Sequence, residues 1–204
     1  MDTSTLGRVT PFAVIGGPVL MALYGGIRLL DGSRDPGAGW LVGHGLMLAG
    51  LVLFAPVLVA LERRPAPHRT AAGRVAARAA LGVASAGLAA SVVQIVIDLY
   101  VGAVAVDKAD QHRLFDSVQS HPGVVPVVYS VGPVLFYVGL LALLVAGAVG
   151  RARTLRWWSP VLVLAGTVLT AADLALIPVA AGCYLVALAP LAGFGAGAGR
   201  PVVA

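Results

Sequence analysis

The stretch 62-ERRPAPHRTAAGRVAAR-78 carries Arg63, Arg64, Arg69, Arg74 and Arg78 between two apolar runs, Trp40 to Leu61 and Ala79 to Val104. A basic gap flanked by runs of about 20 apolar residues is the mark of a cytoplasmic loop between membrane helices. Further runs extend from Pro11 to Leu30, Gly123 to Val149, Trp157 to Leu176 and Ile177 to Ala196. The fold expected is therefore an all-α polytopic bundle of six transmembrane helices, at about 11–30, 40–61, 79–104, 123–149, 157–176 and 177–196, forming one domain over 1–204.

The basic residues fix the orientation. Arg151, Arg153 and Arg156 follow the fourth run, and Arg8 and Arg200 lie at the termini, so ten of the 14 basic residues fall on one side. By the positive-inside rule that side is cytoplasmic, with both termini on it. The gap from Ala105 to Pro122, with Asp107, Asp110 and Asp116, falls outside.

Composition agrees. The chain is 59% apolar and 11% charged, whereas about a quarter of a soluble domain is charged. The net charge of +5 sits beside helix ends, where it serves topology and attraction to anionic headgroups. It has no aromatic interleaving, and nucleic acid is excluded as a partner. The single cysteine, Cys183, rules out an intrachain disulfide. The first run is long enough to span and lacks an A-x-A cleavage site, so it reads as a retained helix. Arginine far in excess of lysine, with abundant Ala, Gly and Val, suits a GC-rich bacterial genome and hence a bacterial cytoplasmic membrane.

Trp40, Trp157 and Trp158 are interfacial anchors. Between the fifth and sixth runs no polar loop intervenes, and the turn is expected near Asp173 to Pro178, with Pro178 in the first turn of the last helix. Pro18, Pro56, Pro133 and Pro190 predict kinks, and the many glycines of the first two runs predict close helix packing. Two readings stay open for Asp107 to His121: a short amphipathic helix with Leu114, Phe115 and Val118 on one face, or a solvated loop.

The third run places Gly87, Ser91, Gln94, Asp98 and Gly102 at intervals of three and four, one small and polar stripe that must face protein. Asp98 is an intramembrane carboxyl and so the first candidate for function. With the expected topology, Arg28, His44, Gln94, Tyr129 and Asp173 fall at the same outer level as Asp98. Asp98 is the candidate catalytic acid, and the other five are candidate ligand-binding residues. Each also has a plain structural reading: Arg28 snorkelling or pairing with Asp98, His44 bonding a carbonyl, Asp173 capping the last helix, Tyr129 packing.

Trp40, Gly43, His44 and Gly45 at the start of the second run, with Asp98 followed by small residues before Asp107 and Asp110, resemble a broad set of six-helix bacterial membrane proteins without an established activity. That resemblance implies the fold and no reaction.

Several chemistries are absent from the sequence. Transmembrane haem needs paired histidines at span depth, yet His68, His112 and His121 lie in loops. A retinal lysine, a Walker loop, a dinucleotide fingerprint and hydrolase motifs are missing. No metal site and no cofactor is implied. The expected partners are the bilayer and a small-molecule or lipid ligand, with oligomerisation left open. Three functions compete: binding or transport of a small solute or proton through an outer-leaflet polar pocket, an intramembrane enzyme acting on a lipid or isoprenoid with Asp98 as general acid, and a structural or partner-binding subunit.

Overall fold

The computed structural model of the chain describes residues 3–63, 70–149 and 155–192. All regular structure among them is helical. The seven α-helices are α1 (Thr3–Arg28), α2 (Ala38–Arg63), α3 (Ala71–Val104), α4 (Lys108–Gln119), α5 (Gly132–Val149), α6 (Trp158–Ala172) and α7 (Ile177–Leu188). Five helical segments are long and apolar enough to cross a membrane: Arg8–Arg28, Ala38–Arg63, Ala71–Val104, Val124–Val149 and Leu174–Ala192. α6, with 15 residues, is apolar but shorter. Arg64, His68, Arg69, Arg151, Arg153, Arg200 and the last four residues of the sixth run lie outside the described residues.

α1 and α2 are joined by a tight connection whose Gly32 (φ 72°) and Gly37 (φ 133°) take backbone angles that a Cβ would strain. α3 begins two turns before the expected Ala79. Thr70 caps it, its hydroxyl accepting the Gly73 amide at 3.1 Å, and the Ala-rich segment that follows has the highest helix propensity available. Hydropathy placed the start late because Arg74 and Arg78 interrupt the apolar run without interrupting the helix. At ~1.5 Å per residue such a helix exceeds a ~30 Å hydrocarbon core, so its Arg74 end projects beyond it.

The fourth run divides. Residues Val124–Val131 form a π-helix, in which the Gly132 amide donates to the Val127 carbonyl, and α5 continues from there. Pro133 supplies the reason, since it has no N–H with which to continue the regular ladder from this turn. Between α6 and α7 the chain turns through a 3₁₀ segment, Leu174–Leu176, and Pro178 sits in the first turn of α7. Both features match the turn read from the sequence. Pro190 lies in a final 3₁₀ turn, Ala189–Ala192, that ends α7.

The long helices form a ring in the order α1, α2, α3, α5, α6, α7, with α7 returning to α1. Packing is closest between α3 and α5. A Cβ on Gly87 would strike the backbone of Phe136 and Gly132, and one on Gly139 would strike Ala84, so small residues let the two backbones touch. The α5–α6 seam is the sparsest in the ring. The interior is filled by Phe54, Leu58, Leu61, Leu140, Leu143, Leu144, Tyr184 and Leu188, all buried. Valines and leucines such as Val42, Val52, Val96, Val138 and Val168 face outward, as lipid-facing positions should.

Candidate functional site

α4 turns out to be helical, the first of the two readings, and lies against the end of the ring where α1 ends and α2 begins. Asp107 starts it, accepting the Asp110 amide at 2.8 Å. Leu114, Phe115 and Val118 are partly buried while Arg113, Asp116 and Ser117 are exposed, so the helix is amphipathic in fact. Lys108 ties it to the α1–α2 connection: its ammonium donates to the Arg34 carbonyl at 2.5 Å and lies 3.4 Å from Asp35 Oδ1.

Beneath α4 lies a cluster of the half-buried Trp40 with the buried His44 and Asp98. Trp40, in the first turn of α2, lays its indole over Gly102 of α3 and donates Nε1–H to the Asp98 main-chain carbonyl at 2.7 Å. One turn later His44 stacks on the same indole, with ring centroids 4.1 Å apart, and makes a T-shaped contact with Tyr24 at 5.2 Å. His44 Nδ1 is 2.8 Å from the Trp40 carbonyl. A carbonyl only accepts, so Nδ1 carries a hydrogen and Nε2 is left to face Asp98. The Nε2–Oδ2 distance is 3.8 Å, with His44 4% and Asp98 9% exposed. Two bare acceptors facing one another away from water would repel; the pair is satisfied when one proton resides on either member.

Beside this pair the ring holds a partly open cavity of about 690 Å³. Four of the six residues singled out in the sequence line it: Arg28 from α1, Gln94 from α3, Tyr129 from the π-helix and Asp173 from the α6–α7 turn. His44 and Asp98 are not in its lining but stand immediately behind it. Tyr129 links the two places, for its buried hydroxyl interacts with the Asp98 carboxyl and with Gln119 of α4, though it completes a well-formed hydrogen bond with neither. Met47, Leu51, Ile95 and Phe136 supply apolar wall. Thr167 and Thr170 add hydroxyls, each donating to a carbonyl of its own helix, Val163 at 2.8 Å and Gly166 at 3.1 Å.

Arg28 is within electrostatic range of Tyr24, His44 and Asp98, but no carboxylate lies within ion-pair distance of it among the described residues, and the side chain that faces the Asp98 carboxyl is His44. His44 does bond a carbonyl, that of Trp40. Asp173 caps the turn into α7, accepting the Ala175 amide at 2.8 Å, and faces the cavity as well. Among the described residues no three His, Cys, Asp or Glu side chains gather as metal ligands.

Sequence reading missed Trp40 as a site residue, treating it only as an interfacial anchor. Its place one turn before His44 was the available signal, since two rings at that spacing share a helix face. Ser91 was seen on the stripe but not as cavity lining; its hydroxyl donates to Gly87 at 3.0 Å. Phe136 and Met47 carried no signal, because nothing distinguishes a cavity wall from core in an apolar run. Compared with known proteins, the chain matches no family model, no curated protein and no solved structure.

Proposed function

We propose that this is a membrane protein of six spans, with cytoplasmic termini, that binds a small organic solute in the cavity at the α4 end, with the proton of the His44–Asp98 pair coupled to occupancy through Tyr129. The observation that carries this reading is the convergence of Arg28, Gln94, Tyr129 and Asp173 from four separate segments onto one cavity of about 690 Å³. That volume lies within the usual range for a small-molecule site, and at ~30 Å³ per water it far exceeds what a bare ion or proton path requires. The position of Asp98 behind the lining favours a role in tuning the site over direct attack on a substrate. In the orientation set by the basic residues, the site opens to the outside of a bacterial cytoplasmic membrane.

The test is a thermal-shift screen of solutes and amphiphiles against purified protein at acid and neutral pH. At least one class should raise the unfolding midpoint of wild type and fail to do so for Gln94→Leu and Tyr129→Phe. Equal shifts in all three proteins would place binding elsewhere.

A further inference from the structure

The mouth of the cavity has a definite location. Val134 of α5 and Ala171, Ala172 and Leu174 at the end of α6 line the cavity and are themselves exposed, Val134 58% and Leu174 44%. They flank the sparsest seam of the ring, the one between α5 and α6. An opening bordered by exposed aliphatic side chains on a lipid-facing seam admits molecules from the leaflet on the α4 side. Arg28 lines the same cavity, a cation with no carboxylate at ion-pair distance among the described residues. Deeper in, the wall becomes Leu51, Ile95 and Phe136.

On this arrangement, and resting on the reading of the cavity as a binding site, we propose that the ligand is a single-chain amphiphile with an anionic head. The head pairs with Arg28 and the chain passes the α5–α6 seam with its first carbons against Ile95 and Phe136. A guanidinium fork suits a carboxylate or phosphate better than any neutral head, and an amphiphile partitions first into the bilayer, which a lateral mouth then exploits. Asp173 also borders the cavity, but one of its carboxylate oxygens is engaged by the Ala175 amide at 2.8 Å. The other disfavours anions near the turn, leaving Arg28 as the place for the head.

Radiolabelled hexadecanoate and hexadecan-1-ol, offered to the protein in phosphatidylcholine nanodiscs, separate the possibilities. Saturable binding of hexadecanoate is expected, weakened about tenfold by Arg28→Gln, the scale of one charge-assisted hydrogen bond, and restored in part by Arg28→Lys. Hexadecan-1-ol should bind more weakly and be indifferent to Arg28→Gln, which also shows that the variant is folded. Ala171→Trp, which narrows the mouth, should reduce both. Equal binding of acid and alcohol, or no effect of Arg28→Gln, overturns the anionic head. Displacement of hexadecanoate by an equal concentration of butyrate overturns the amphiphile in favour of a soluble anion. If neither long-chain probe binds while a soluble compound passes the thermal-shift screen, the amphiphile is wrong and the binding site stands; if nothing binds in either experiment, both fall.

Discussion

At Gly102 the indole of Trp40 occupies the space that a side chain would take. The usual gain from replacing a helical glycine by alanine, ~1 kcal/mol, is there opposed by a clash with a ring that is itself held by Asp98 and His44. Overpacking costs about 1–3 kcal/mol, so Gly102→Ala should destabilise by up to about 2 kcal/mol once that gain is set against it. Gly45→Ala, one residue past His44 with nothing within 4 Å of the added carbon, should be neutral or stabilising. The unfolding midpoint in detergent should fall for Gly102→Ala and not for Gly45→Ala, and no fall in Gly102→Ala would mean that Trp40 does not rest on α3. Asp98 offers a second contrast. Asn at that position can donate to His44 Nε2 without adding charge, so Asp98→Asn should unfold close to wild type. Asp98→Leu removes the polar group that His44 Nε2 faces and should cost about 1–3 kcal/mol. A large loss in Asp98→Asn would show that the carboxylate is held ionised.

Among the elements, those most legible in the sequence were set by local chemistry. Pro178 and Asp173 marked the turn before α7 because a ring without an N–H and a carboxylate that accepts amides both belong at a helix start. The α3 helix begins ahead of its apolar run because hydropathy measures lipid compatibility, not helicity, and Ala71 to Arg78 is helical although Arg74 and Arg78 interrupt its apolarity. The π-helix was illegible: Pro133 announces a disturbance but not whether it becomes a kink or a wider turn. α4 lay between two readings because a helix this short draws its stability from the surface it covers, and that surface is tertiary. Its first turn carries a testable pH dependence. A hydrogen bond from Arg113, and then one from the Val106 amide, hold the Asp110 carboxyl below its ordinary 3.8. Folding thus favours the ionised form, so the stabilisation is complete above 3.8 and fades as pH falls through the depressed value. Hydrogen exchange of the α4 amides, corrected for intrinsic rates, should rise on acidification below that point in wild type and show less change in Asp110→Asn.

For the molecule as a whole, the membrane-bundle class was open to reading because length and apolarity state it directly. The gathering of Arg28, Gln94, Tyr129 and Asp173 was legible only as a shared depth, since sequence gives position along each helix but not its rotation or its neighbours. Rotation is what set His44 and Asp98 behind the cavity while the other four face it. The orientation proposed from the basic gaps is directly testable: in a Cys183→Ala background, Ala72→Cys should be protected from an impermeant thiol reagent in whole cells and Ser117→Cys labelled. The reverse pattern would turn the α4 end towards the cytoplasm.

The brevity of α6 has a consequence for the lipid itself. Fifteen residues at ~1.5 Å each extend about 22 Å, against a hydrocarbon thickness of ~30 Å. On the six-span reading proposed above, Trp157 and Trp158 hold its beginning at one interface, so the shortfall gathers at Ala172, beside the proposed α5–α6 mouth. A short hydrophobic element is accommodated by local thinning of the bilayer, which draws headgroups inward there, toward the depth of Arg28. Ligand exchange should then depend on acyl-chain length in the host membrane, faster in thin bilayers and slower in thick ones.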